Sequence, residues 1–292
     1  MSTVTNTSTN AVNKNVIIPE VYSELVREKI SGKVVVSQFA DVKGDLMGKP
    51  GETINFDAWQ PLSDASDIAV GTAMDTANMK QSTKSATIKM VAPKGIKVND
   101  YDNEVAFGNA IDEAASQQAV AIARKQDTDF IADAYKTPLK NALATDGVIT
   151  FDELVAMLGQ FGDDANTEDM ACIAIHSVYR ASFLKMDGFV DATKRFNAHG
   201  NGVQSNNCIG YFLGIPVVVT DRLINTTGAV TEHFVLLIKK HALAIVPKEV
   251  PFVETARDAS TRTTTIFTSQ YYATCLVDDA GIVLGKKTLP TA

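Results

Sequence analysis

The chain has little of what most function classes require. It holds three cysteines, Cys172, Cys208 and Cys275, scattered along the sequence, with no CxxC and no Cys/His ligand spacing. An odd, dispersed set argues against a disulfide framework and against a zinc site. No stretch approaches about 18 consecutive apolar residues, so no transmembrane helix is expected. No run of Lys or Arg occurs; the densest basic pairs are Lys239-Lys240 and Lys286-Lys287. The formal net charge is −7 and the sequence pI about 5.2. A protein whose main affinity comes from neutralising phosphates needs a basic face, which this balance does not supply. The first 15 residues are Ser, Thr and Asn rich, with no apolar core or cleavage pattern. They read as a disordered leader and not as a signal peptide. The sequons at Asn6 and Asn225 have no secretory context and read as chance.

Apolar residues make up 45% and charged residues 21% of the 292, enough for a packed core in one large or two modest domains. Residues 45–98 read as a two-stranded arm. Gly51-Glu52-Thr53-Ile54-Asn55-Phe56-Asp57-Ala58-Trp59 goes out, and Ser85-Ala86-Thr87-Ile88-Lys89-Met90-Val91 comes back. Ile54, Phe56 and Ala58 alternate with polar residues on one strand, Ala86, Ile88 and Met90 on the other, the period of a half-buried strand. The link between them has no core-forming pattern. An isolated hairpin is marginal in water, and a long structureless link is uncommon inside a compact domain. The arm therefore calls for a partner, most simply another copy of the chain.

Before the arm, Pro19 opens a short helix with Val21, Leu25, Val26 and Ile30 on one stripe and Gly32 at its end. Val34-Val35-Val36 reads as a strand. After the arm, residues 103–136 read as one proline-free helix, Ala-rich, with Asp100 and Asp102 at its N-terminus. At 1.5 Å per residue it would span about 50 Å. Its apolar face is read as Phe107, Ala110, Ile111, Ala114, Val120, Ile122, Phe130, Ile131 and Ala134. Residues 140–248 then alternate helix and strand signals: a helix from Phe151 to Phe161, an apolar strand Ala171-Cys172-Ile173-Ala174-Ile175, a helix over 178–185 with Phe183 and Leu184 inward. Strands follow at 211–213, 216–219, 234–238 and 242–246, then at 261–267, 270–277 and 281–284. The final strands are expected to rejoin the sheet begun at 90–98.

Most motif matches dissolve on their spacing. Asp146-Gly147-Val148-Ile149-Thr150-Phe151-Asp152-Glu153 fits part of an EF-hand loop, but its first and third positions would be Ala142 and Ala144, where a calcium site needs oxygen ligands. The ordinary reading is a turn at Asp146-Gly147 and a helix capped by Thr150 and Glu153. Gly281 to Thr288 resembles a P-loop one residue short, with no room for a following helix; a last strand with a basic tail is the alternative. The histidines His176, His199, His233 and His241 are far apart and belong to no HExxH pattern. The acidic run at 163–169 reads as a solvated loop. No catalytic, cofactor-binding or metal residue is assigned.

The order of these elements resembles the major capsid proteins of tailed bacteriophages, the Hong Kong ninety-seven-like fold. The landmarks are Ile17-Ile18-Pro19-Glu20-Val21, the long arm, the long helix, and Gly214-Ile215-Pro216-Val217 leading into a strand. The resemblance implies an α+β phage major-capsid fold: an N-terminal arm at 1–42, an extended β-hairpin loop at 43–92, a peripheral domain with its spine helix at 93–139 and 249–292, and an inserted α/β axial domain at 140–248. It implies a structural subunit, not an enzyme, without a cofactor. Such a subunit closes into pentamers and hexamers and forms an icosahedral capsid, in a virion assembled in the host bacterial cytoplasm. Its partners would be further copies of itself, a separate scaffolding protein and a portal. It would enclose double-stranded DNA without sequence-specific binding and would meet no membrane. Trp59, Lys80, Lys84, Phe56 and Ile88 are the expected intersubunit contacts. The Lys–Asn crosslink of some relatives is not carried over, since no matching Asn or Glu is identified. The alternatives are an encapsulin-like compartment shell, a small-oligomer α/β enzyme with a site near 199–207, and another phage part such as a tail tube or decoration protein.

Overall fold

The computed structural model describes residues 19–43, 51–59, 78–101, 110–186, 189–191, 208–227 and 230–288, together with 65, 67, 68, 71, 73, 74 and 76. The expectations for residues 1–18, 102–109 and 192–207 lie outside the described residues, as do His199 and the alternative enzyme loop at 199–207.

Helix α1 (Pro19–Ser31) starts on proline, whose missing N–H would have had no helical partner. It buries Tyr22, Val26 and Ile30, four residues apart, with Leu25 packed beside them; Val26 and Ile30 are inward as expected, while Val21 is left 63% exposed and Tyr22 takes its place. The Val34-Val35-Val36 strand does not form. The chain instead donates the amides of Val35, Val36 and Ser37 to the buried carboxylate of Asp127, at 3.0, 3.1 and 2.9 Å. A fixed acceptor on the long helix here outcompetes the β-branched propensity.

Strands β1 (Asp41–Val42), β2 (Thr53–Trp59), β3 (Gln81–Thr87), β4 (Lys89–Val91) and β5 (Ile96–Asn99) follow. The arm hairpin is present: β2 and β3 pair antiparallel from Thr53↔Thr87 to Trp59↔Gln81. The ladder breaks at Ile88, which reverses the inward phase. Val91 is buried and Met90 is 62% exposed, opposite to the alternation expected for the return strand.

Helix α2 (Ala110–Ala134) is the long helix; its 25 described residues span about 37 Å. Beyond it come β6 (Lys140–Ala142), α3 (Phe151–Gly159), β7 (Met170–Ile175), α4 (Arg180–Leu184), β8 (Phe189–Asp191), β9 (Cys208–Phe212), β10 (Ile215–Val219), β11 (Ile224–Thr227), β12 (Val230–Lys239), β13 (Leu243–Pro247), β14 (Phe252–Asp258), β15 (Thr263–Leu276) and β16 (Ile282–Lys286). The capping box is as expected: Thr150 accepts from the Glu153 amide, and Glu153 reaches back to the Thr150 amide. Gly147, at φ +76°, makes the turn before it.

Two sheets hold the molecule. The eight-stranded one runs β6-β16-β12-β7-β10-β9-β8, with β11 on β12. Its central strands are buried on both faces, which is why they read as continuous apolar runs. Ile173, Ile175, Leu237 and Val283 face α3, and Cys172, Ala174, Leu236 and Leu284 face the end of α2. A Cβ at Gly285 would sit 2.6 Å from the Met157 sulfur, so glycine is what lets α3 lie close on β16. The six-stranded sheet is organised by β15. Its first half lies between β5 and β14, its second half between β4 and β13.

Several sequence expectations need correction. The two strands expected over 261–277 are one 14-residue strand, Thr263–Leu276. β15 rejoins the sheet of 89–99 as expected, with β14, which the sequence did not show, alongside it; β16 enters the eight-stranded sheet and β13 the six-stranded one. Leu184, expected inward, is 50% exposed. Lys286, read as part of a basic tail, is buried, bonded to Glu232 at 3.2 Å and to the Tyr135 hydroxyl at 2.9 Å.

Candidate functional site

The arm hairpin is the feature that a single chain uses least. Seven paired residues at about 3.4 Å each carry it roughly 24 Å outward. Its root is fixed within the chain. Phe56, 3% exposed, packs with Ala86 on Ala244, Val246, Ala273 and Cys275 of the six-stranded sheet. The Lys43 ammonium lies 5.3 Å from the Phe56 ring centre. Lys84 pairs with Asp279, and Lys248 donates to the Gly51 carbonyl at 2.7 Å. Ile88 is half-buried at the root. Beyond the root the picture changes: Lys80, Ile68, Met74 and Met79 are exposed, the last two 79% and 66%. Trp59 stands at the outer end of β2, opposite Gln81.

The five expected contact residues therefore divide. Phe56 and Lys84 already have partners in their own chain, and Ile88 is half engaged. Lys80 and Trp59 lie at the outer end. The sequence could not make this division, because period two places Phe56 on a face without saying what covers that face.

Sequence reasoning missed one titratable cluster. The rings of His176 and His233 lie 4.3 Å apart at one end of the eight-stranded sheet. Asp146 accepts from the His233 amide and contacts its Nδ1, both at 3.0 Å. The Tyr179 hydroxyl donates to the His233 carbonyl. His176 Nδ1 accepts the Val178 amide, and its Nε2 faces Asp221 at 3.9 Å. Burial first, then repulsion from His233, holds the His176 imidazole below its ordinary value. Burial would raise the Asp146 carboxyl, but the His233 hydrogen bonds overcome it and hold it below the usual range. No hydrogen bond among the described residues joins either ring to a hydroxyl or thiol nucleophile, so the geometry is that of a tie between strand ends. Asp146, the residue of the EF-hand fragment, is consumed by this tie. Among the described residues no group of acids, histidines and cysteines is placed to hold a metal ion. The Cys172 and Cys275 thiols are buried, and burial pushes both upward, as it does for inert core cysteines.

The family described as phage capsid protein matches residues 85–285. The major capsid protein of Staphylococcus phage phiMR11 is 28% identical over 270 residues, covering 92% of this chain and 93% of that protein. A solved chain from Mycobacterium phage Che8 superposes with a TM-score of 0.61 at 16% identity, covering 88% of this chain and 92% of the other. A virus-like particle from Pyrococcus furiosus gives 0.60 at 12% identity, covering 92% and 99%. The family match runs from inside β3, at the return of the arm, into β16. Taken with an α+β architecture shared with solved capsids, it shows that this chain belongs to the phage capsid protein family, as a structural protein of the virion capsid and not an enzyme.

Proposed function

We propose that this capsid protein closes into pentamers and hexamers and that its arm, over residues 43–92, lies on a neighbouring subunit of an icosahedral shell around double-stranded DNA. One observation carries the reading: the arm's root is packed on its own sheet, while Ile68, Met74 and Met79 beyond it are exposed. Exposed apolar side chains in this number call for a covering surface. Trp59 and Lys80 are the contact residues of choice, with Ile88 joining at the root. A scaffolding protein and a portal complete the assembly. The division into 1–42, 43–92, 93–139 with 249–292, and 140–248 is kept as the working domain scheme, with β13 and β16 exchanged between the last two parts.

The test uses the register of the hairpin. Trp59 and Gln81 are directly paired, so replacing residues 60–80 by Asn-Gly leaves a two-residue turn of the favoured type. The variant should fold with unchanged stability and form no shells by electron microscopy and light scattering. Normal shells would refute the role of the arm. An encapsulin-like compartment is the second reading, resting on the likeness to the Pyrococcus furiosus particle. The sequence identity to the Staphylococcus phage protein favours the phage capsid.

A further inference from the structure

We propose that the cleft between α1, α2 and the β10–β11 end of the eight-stranded sheet is a docking site for an acidic, partly apolar peptide segment of another protein. The cleft has a volume of about 840 Å³ and is lined by Lys33, Arg124, Arg180 and Arg222. These come from four different parts of the chain: the end of α1, the middle of α2, the start of α4 and the β10–β11 turn. Among the described residues none of the four takes part in an ion pair. In a chain of net charge −7, a cleft lined by four cations and two acids carries a local positive excess that attracts an anionic group.

The two acids of the lining offset the four cations only in part. Asp127 spends its carboxylate on three backbone amides and the Ser37 hydroxyl. Asp221 has a side chain 77% exposed and faces His176. Arg222 is held in place by its bond to the Thr128 hydroxyl, 3.1 Å, which leaves most of its donors free. Arginine forks of this kind take carboxylates in bidentate fashion.

Shape and lining favour a peptide over nucleic acid. Val120, Val219 and Ile224 share the cleft with the cations. A peptide can place an apolar side chain on them while its carboxylates meet the rim. A duplex backbone offers phosphates and no apolar side chain. The volume falls in the range of roughly 300–1,000 Å³ that encloses a drug-sized ligand, room for a few peptide residues. The chain's own dense acidic stretch, Asp163-Asp164-Ala165-Asn166-Thr167-Glu168-Asp169, lacks the large apolar residue the cleft would take, so that stretch does not fit it.

The test is fluorescence anisotropy on the full, unassembled chain with three labelled probes: a peptide alternating Asp or Glu with Leu, a Lys/Leu peptide of equal length, and a short DNA duplex. Arg124 and Arg180 are exposed, so the Arg124→Glu/Arg180→Glu variant should keep its fold; its circular dichroism and urea midpoint check this. The acidic peptide should bind, lose affinity about tenfold or more in the variant, and weaken with salt. The Lys/Leu peptide should not bind. Arg124→Lys should lose less than Arg124→Glu. Unchanged peptide binding in the double variant, absence of peptide binding to the native chain, or tighter variant-sensitive binding of the duplex would each overturn the proposal. None of these readouts depends on shell formation, so the outcome is separable from that of the arm deletion.

Discussion

The molecule has two interiors built on different physics. Between the eight-stranded sheet and α3 the contact is apolar throughout, with Phe212, Phe183, Met157, Ile173 and Leu237 at or near zero exposure. Between α2 and the long strand β15 it is largely polar. Gln118 accepts from Thr268 and donates to the Ile266 carbonyl. Gln126 donates to Gln270, Asp129 accepts from Tyr272, and Asp133 accepts from Thr274. The partners advance in step. Residues 118 to 133 of a helix cover about 22 Å, and residues 268 to 274 of a strand about 20 Å. Apolar packing is non-directional and fixes which faces meet. A row of directional bonds also fixes how far one element slides along the other. Among the described residues no buried side-chain nitrogen or oxygen lacks a partner, so the polar interior is fully satisfied.

The largest effect should come from breaking the apolar interior. Phe212→Ala removes a fully buried ring and should cost about 3–5 kcal/mol by urea unfolding of the unassembled chain. A loss under about 1 kcal/mol would mean that this interior is looser than its burial indicates. Next is the polar seam. Asp133→Leu orphans the Thr274 hydroxyl and should cost about 2–3 kcal/mol. Adding Thr274→Val removes the other half of the bond and should restore most of that loss. If the double variant is no better than the single one, the seam does not work pairwise.

The His176–His233 tie joins the two ends of this comparison, because it sits where apolar strands finish in titratable groups. The folded state holds His176 below its ordinary 6.5, so it binds fewer protons than the unfolded chain. Stability is then complete above that value and falls as pH drops from it toward the lowered value. Asp146, held below 3.8 by His233, adds a loss only at still lower pH. His176→Gln should flatten the first slope in a urea titration against pH and leave the second; a slope of unchanged size would assign it elsewhere. The smallest effect belongs to the arm root. Lys84 and Asp279 are part exposed, at 29% and 51%, so Lys84→Ala should cost under about 1 kcal/mol, and the loss should shrink further in high salt.

Legibility followed the same divide. β7, β12 and β13 announce themselves as apolar runs because both of their faces are covered, and the Thr150–Glu153 cap is local chemistry, complete within four residues. The arm hairpin showed through its alternation. The long helix was visible as a proline-free, Ala-rich stretch, but its buried face was not. Gln118, Gln126, Asp127, Asp129 and Asp133 look like solvent residues until β15 and the 35–37 turn are placed beside them. β14 was passed over because Glu254, Arg257 and Asp258 give it no apolar period on its exposed side.

The sequence by itself carried most of the element order, the fully buried strand runs and the arm, since these rest on local patterns of apolarity and capping. Tertiary structure alone decided that β16 and β13 change sheets, that Phe56 and Lys84 serve their own chain, that two histidines 57 positions apart lie ring against ring, and that four distant cations share one cleft. The reason is physical: pairing across a sheet and the satisfaction of buried polar groups depend on which distant segments meet, and no local period encodes that meeting.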